Sequence, residues 1–345
     1  MLILGIETSC DETSAAVISH DGGGCGEILS NVVFSQTDKH ALFGGVVPEI
    51  AARTHVIVLD KIIARALEEA NVSLDSIDGI AATAGPGLIG SVVVGLVTAK
   101  AIALVTRKPL IAVNHLEGHV LAPRLTYDIA FPYLVLLISG GHTQFISAEG
   151  LGKYRRMGTT IDDAVGEAFD KTARLLNLPY PGGPLIEKHA SLGDPTRFKF
   201  PKPLSRRDNF DLSFSGLKTA VRVAVNKKQP LHPQDVRDIA ASFQAAVTET
   251  LEIKTRRALQ AFSRQHNLAH PILVPTGGVA SNSSVRASML RSCEEVGGQL
   301  IVLPQELCTD NGAIIAWAGA ERLSAGLTMH GMQTPARSRW PLDEV

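Results

Sequence analysis

Asn114-His115-Leu116-Glu117-Gly118-His119 follows directly on the apolar run Pro109-Leu110-Ile111-Ala112-Val113. The run reads as a short buried strand, and residues 115–125 read as a helix that begins where it ends. Residues four apart on a helix differ by ~40° of rotation, so His115 and His119 can turn two imidazoles to one side, a spacing that suits a divalent metal. The same spacing also fits two ordinary surface or capping histidines. A zinc-peptidase reading fails on geometry, because that motif is H-E-x-x-H. Glu117 lies two residues after His115, ~200° around the helix, and points away from any ion the pair holds.

Working outward, the same order of elements occurs twice. In the first half, strands are expected at Leu2 to Thr8, Thr13 to Ser19 and Glu27 to Ser35. A helix follows at 48–70 with Val56, Leu59, Ile63 and Leu67 on one side. Then come a strand at Ile77 to Ala82, the turn Gly85-Pro86-Gly87, an apolar helix at Gly90 to Val105, and the strand and histidine helix. In the second half, strands at Tyr133 to Ser139 and Thr143 to Ala148 flank Gly140-Gly141-His142. A helix at Ile239 to Phe262, a strand at Ile272 to Pro275, Gly277-Gly278, a helix at Ser283 to Glu295 and a strand at Leu300 to Leu303 follow. Cys308-Thr309-Asp310-Asn311-Gly312 then opens a last helix, Ala313 to Ser324. Gly85 and His115 are 30 positions apart, and Gly277 and Asp310 are 33. Such a doubled α/β unit describes the actin-like ATPase (ASKHA) fold, two ribonuclease-H-like lobes around a central cleft. The expected division is 1–125 and 126–345, the second lobe carrying an insert at about 150–233.

The repeat gives His115 and Asp310 equivalent places, so Asp310 is the natural third ligand of a two-His, one-carboxylate set. An N-cap is the other reading of Asp310.

Composition agrees with a folded, soluble chain. Of 345 residues, 45% are hydrophobic and 19% charged, and the formal net charge of −1 announces no global field for nucleic acid. Cys10, Cys25, Cys293 and Cys308 lack metal-site spacing and suit free thiols in a reducing compartment. Gly79 to Ala99 is uncharged, but Gly85-Pro86-Gly87 interrupts it, and a buried strand and helix explain it better than a membrane span. A cytoplasmic protein with no membrane partner is expected.

Three turns offer backbone N–H groups to phosphates: Ser9 to Glu12, Ser139 to Thr143, and Thr276 to Asn282. Asp11 and Glu12 add adjacent carboxylates for general acid/base work or for placing a metal-bound water; common turn chemistry is the alternative. Cys10 is expected to be a small buried neighbour rather than a nucleophile. The insert holds a helix at Asp162 to Leu178, a rigid turn at Pro179 to Pro184, and basic residues Arg197, Lys199, Lys202, Arg206 and Arg207. With Lys153, Arg155, Arg156, Arg337 and Arg339, these could meet an RNA backbone or simply face water.

Taken together, the motifs resemble one family, the tRNA N6-adenosine threonylcarbamoyltransferases. The matching stretches are Gly5 to Thr13, Gly44 to Glu49, Ala84 to Leu88, Asn114 to His119, Ser139 to Gln144, Ile161 through Lys171, Tyr180 to Pro184, Ser213 to Thr219, Gly277 to Asn282 and Cys308 to Ala313. Val279-Ala280-Ser281-Asn282 departs from the Val-Ser-Ala-Asn of many relatives but keeps the asparagine. The resemblance implies one divalent metal, iron(II) ahead of zinc, on His115, His119 and Asp310. It implies that Leu137, Ile138, Ser139, Gly140, Gly141, Asp170, Gly183 and Asn282 bind the adenylate. The implied reaction moves the threonylcarbamoyl group of threonylcarbamoyl-AMP to the N6 amine of the adenosine 3′ of the anticodon, in tRNAs reading codons that begin with A. Implied partners are a paralogous actin-like subunit (TsaB) and a P-loop ATPase subunit (TsaE). A small-molecule kinase on the same fold and a catalytically silent scaffold are the rival readings.

Overall fold

The apolar runs of the first half pair into a single sheet in the computed structural model, which describes residues 1–327 and 331–345. β1 (Leu2–Glu7), β2 (Glu12–Ser19) and β3 (Glu27–Ser35) form an antiparallel meander, and β4 (Gly79–Gly85) and β5 (Leu110–Asn114) join it in parallel, in the order β3-β2-β1-β4-β5. The two parallel strands are buried throughout, as small and β-branched runs covered on both faces should be. α1 (Thr37–Ala41), α2 (Pro48–Glu69), α3 (Ile89–Thr106) and α4 (His115–Thr126) connect and follow them.

The second sheet repeats this topology. β6 (Tyr133–Ile138) pairs antiparallel with β7 (Thr143–Gly150) and parallel with β9 (Ile272–Thr276), and β8 (Lys153–Thr159) and β10 (Gln299–Leu300) complete the order β10-β9-β6-β7-β8. β8 fills the place of β3, so the doubling extends into the segment expected to be an insert without counterpart. Between β8 and β9 lie α5 (Val165–Leu175), α6 (Gly182–Ala190), α7 (Ser215–Lys227) and α8 (Pro233–His266). α9 (Ser283–Val296), α10 (Gln305–Cys308) and α11 (Gly312–Ser324) finish the helices. α6 begins inside the stretch expected to be a rigid turn, because Asp170 caps it from α5: its Oδ1 accepts the Gly182 amide at 2.8 Å. The doubled topology is the expected actin-like ATPase fold.

The chain forms two compact units. One comprises Met1–Phe131, Gly150–Tyr154 and Thr309–Val345, and the other Pro132–Glu149 and Arg155–Cys308. In the first, α11 lies on the sheet so closely that only glycine fits at the contact. A Cβ on Gly5 would come 2.3 Å from the Gly312 carbonyl oxygen, and one on Gly312 would come 2.7 Å from the Ala16 nitrogen. Residues 334–342 strap the β4 and β5 ends. The Arg337 amide donates to Ala84 O at 2.8 Å, and Trp340 is buried against Ala84, Leu96 and Ala112. The Arg337 guanidinium lies over the Trp340 ring, 4.7 Å from its centroid.

Two helices depart from the pattern read in the sequence. Val56 was expected on the inner side of α2, but it is 67% exposed; the buried side runs through Ala51, His55, Leu59, Ile62, Ile63 and Ala66. α3, expected to be buried, keeps only a third of its length inside. Ile89, Val93, Val97 and Leu104 leave an apolar face uncovered.

Candidate functional site

His115 opens α4 at the end of a central parallel strand, and Asn114 caps it, its Oδ1 accepting the Leu116 amide at 2.9 Å. The Asn114 side-chain amide donates to Trp340 O at 3.0 Å, so the strap holds the cap. One turn on, His119 stacks edge-to-face with His115, centroids 4.9 Å apart. At the other approach, Asn311 rather than Asp310 caps α11: its Oδ1 accepts the Ala313 and Ile314 amides at 2.9 and 3.1 Å. The Asp310 carboxylate is thereby left for the imidazoles. Its Oδ1 lies 3.1 Å from His119 Nε2 and 3.5 Å from His115 Nε2. The three ligating atoms lie within 4.8 Å of one another, all inside the first unit.

Glu7, which sequence reasoning passed over, fixes the orientation. It is fully buried at the end of β1, and its carboxylate accepts the His115 Nδ1 proton at 3.0 Å, the Thr83 hydroxyl at 2.5 Å and the Ser9 amide. A carboxylate on Nδ1 turns Nε2 outward as the ligand nitrogen, the usual support of a metal-bound histidine. The parallel run β1-β4-β5 was the available signal, since it sets the end of β5 one strand away from the end of β1, across β4.

The turn after β1 brings Asp11 and Glu12 to the same place. Burial, reinforced by the charges of Asp310, Asp11 and Glu7, pushes the Glu12 carboxyl well above its usual range. Burial with Asp11 and Asp310 likewise pushes the Cys10 thiol far up, so it is no nucleophile at neutral pH, as expected. His55 of α2 pins the turn, with Nε2 at 3.0 Å from Cys10 O and Nδ1 at 2.7 Å from the Thr13 hydroxyl.

Four carboxylates around two imidazoles are an excess of negative charge in a largely buried site, and a divalent cation fits it. Burial works against protonating His115, but Asp310 and Glu7 outweigh it and raise its pKa to about 9. An ion at Nε2 must displace that proton, so Zn²⁺ affinity measured calorimetrically should rise with pH, about tenfold per unit, up to about 9. A flat profile from about pH 6.5 to 8.5 would mean that His115 is neutral before the ion arrives.

Glu117 points away from this centre, as its helical position dictates. It is wholly buried, accepting from Arg322 Nε at 2.6 Å, Arg322 Nη2 at 2.9 Å and the Tyr154 hydroxyl at 2.9 Å. The pair ties α4 to α11, the two helices that carry the histidines and follow Asp310.

The residues expected to meet an adenylate lie in the second unit. Leu137 and Ile138 are core residues of β6, and Leu137 is paired on both sides, with Gln144 and Thr276. Gly140, Gly141, Gly183 and Gly278 each face open space. Gly277, at φ 93°, packs where a Cβ would stand 2.5 Å from Ile138 O, which sets its turn against the end of β6. The α5 amide of Gly166 donates to Ser139 O at 3.2 Å. Asn282 caps α9 through the Val285 amide at 3.0 Å and donates to Gln244 at 2.8 Å. Glu187 of α6 accepts the Ser283 amide at 2.7 Å. Burial raises the Asp170 carboxyl, against the pull of the Gly182 and Gly183 amides. These contacts link the β6–β7 turn to α5, α5 to α6, and α6 to the start of α9.

Comparison with known proteins adds the following. A family model described as TsaD, tRNA N6-adenosine threonylcarbamoyltransferase, matches residues 27–317. A protein of that name from Sinorhizobium medicae (strain WSM419) is 57% identical over 344 residues, 99% of this chain and 96% of the relative. Among solved structures, full-length HypF in its phosphate- and nucleotide-bound form aligns with a TM-score of 0.61 at 12% identity, over 95% of this chain and 56% of HypF. The ROK hexokinase of Thermus thermophilus aligns with a TM-score of 0.53 at 14% identity, over 94% of this chain and all of that one. These two show the fold alone.

Proposed function

This chain belongs to the tRNA N6-adenosine threonylcarbamoyltransferase family, and we propose that its transfer reaction runs on the His115–His119–Asp310 centre. The enzyme is an acyltransferase: the N6 amine of the adenosine 3′ of the anticodon bonds to the carbamoyl carbon, the bond from that carbon to the phosphate oxygen breaks, and AMP leaves. The observation that carries the site reading is the convergence of two Nε2 atoms on one carboxylate oxygen, backed by Glu7 on Nδ1.

His115, His119 and Asp310 would hold a divalent ion, which when bound would supply Lewis-acid polarisation of the carbonyl. Two histidines and one carboxylate suit iron(II) and zinc alike, and the family resemblance favours iron(II). The chain's own groups do the rest. Glu12, whose burial raises its proton affinity, is suited to take the N6 proton when ionised, with Asp11 beside it. The amides of Gly140 and Gly141 offset charge on the departing AMP. Ser139, Asp170, Gly183 and Asn282 hold the adenylate, with Leu137 and Ile138 contributing as the rigid strand beneath.

The reading assigns a paralogous actin-like subunit to the exposed apolar face of α2 and α3, where Val56, Ile57, Val93 and Val97 await cover. It adds a P-loop ATPase subunit as second partner and places the chain with its tRNA in the cytoplasm. The test is metal analysis after anaerobic purification, together with transfer from threonylcarbamoyl-AMP to a defined tRNA followed by nucleoside analysis. Bound iron(II) near one per chain and modified adenosine are expected; undiminished transfer by metal-free protein would sink the centre.

A further inference from the structure

An RNA substrate needs phosphate contacts, and a chain of net charge −1 must supply them locally. Four of the five cations of the basic segment, all but Lys199, sort into two groups. Arg197 is occupied by Asp235 at 2.6 Å and Asp238 at 2.5 Å, and Lys202 by Glu249. Arg206 and Arg207 are exposed, with no carboxylate partner among the described residues.

What lies behind those two arginines distinguishes them from an ordinary solvated charge run. Lys254 of α8 is fully buried, and its ammonium is held by neutral oxygens alone: Arg207 O at 3.1 Å, Asn209 O at 2.7 Å and Asn209 Oδ1 at 3.0 Å. Arg257 adds a second donor to Arg207 O at 2.7 Å. Burying an ammonium with no carboxylate in hydrogen-bond contact is costly, Asp208 and Asp211 acting on it only through charge, and every oxygen Lys254 bonds belongs to Arg207 or Asn209. Two cations of α8 thus fix one loop's shape. A cavity of about 230 Å³ opens at that loop, lined by Lys202, Leu204, Ser205, Arg206 and Arg207.

We infer that this loop is a phosphodiester clamp for the tRNA substrate, in which Arg206 and Arg207 grip backbone phosphate oxygens and Lys254 and Arg257 are positioning residues. The inference rests on the transferase reading for the identity of the RNA. Guanidinium forks match phosphate geometry bidentately, and a hydroxyl such as that of Ser205 can complete the set.

Equilibrium binding of a tRNA transcript to the intact chain across a salt series tests it. Arg206→Gln/Arg207→Gln should weaken binding ~10-fold or more and flatten the slope of log K against log salt by about 1–2. Bound metal and thermal stability should stay unchanged, since both side chains are exposed. Arg206→Lys/Arg207→Lys should recover the slope but only part of the affinity. Lys254→Met, which keeps both arginines but frees the loop, should weaken binding with little change in slope. Wild-type affinity and slope in the double glutamine variant would overturn the clamp while the transferase reading stands, as would a defect confined to assembly with a protein partner. Failure of the wild-type chain to modify tRNA would instead strike the transferase reading.

Discussion

Asp310→Ala should leave a folded chain that retains no ion and transfers threonylcarbamoyl groups on the order of 10³-fold more slowly or worse. Asp310 supplies a carboxylate that both imidazoles approach, yet it does not cap α11, which Asn311 does. Removing it also takes one charge from a crowd of four carboxylates, so the melting temperature should hold or rise slightly. His115→Ala should be just as inactive but less stable, because it strips the buried Glu7 of its imidazole partner. Metal content by mass spectrometry, melting curves and tRNA nucleoside analysis on the two variants separate these effects. Wild-type transfer in either variant would remove the centre from the mechanism.

Arg322→Met carries the second large effect, this time on stability. It leaves the Glu117 carboxylate with the Tyr154 hydroxyl but no cation, in a site where neither member of the pair reaches solvent, at a cost of about 3–5 kcal/mol. For a chain of 345 residues that corresponds to a fall in melting temperature of roughly 4–7 °C. Burial already raises the Glu117 pKa against the pull of Arg322 and Tyr154; without Arg322 it rises further, so Glu117 protonates more easily and the deficit should shrink as pH falls. Glu117→Leu together with Arg322→Met should recover most of the loss, leaving about 1 kcal/mol for the stranded Tyr154 hydroxyl. A single variant as stable as wild type would mean that α4 and α11 are held by apolar packing alone. Because the pair joins the helix of the histidines to the helix after Asp310, the single variant should also hold metal more weakly.

Much of this was legible before any coordinates. The strands and the doubled order follow from apolar runs and glycine turns, and helical spacing alone turned His119 toward His115 and Glu117 away from them. What one dimension concealed was choice among equals. Asp310 and Asn311 are both good N-caps, and nothing in the spelling says which one caps the helix. Val56 fits the periodic stripe of α2 as well as Ile62 does, and only the position of the sheet decides that one is buried and the other not. β8 escaped notice because Lys153, Arg155 and Arg156 give an edge strand the look of a loop. The basic run looked uniform, although Asp235, Asp238 and Glu249, which occupy Arg197 and Lys202, lie some 40 residues further on. The return of α11 to the first sheet rests on Gly5 and Gly312, two residues whose contribution is the absence of a side chain.

That absence offers a way to sort drifting gene copies. A duplicate that keeps every histidine and aspartate but gains even one methyl at position 5 or 312 would lift its final helix off the sheet and carry the aspartate out of reach. Such a copy would still look like an enzyme letter by letter at each ligand, and would be an empty one.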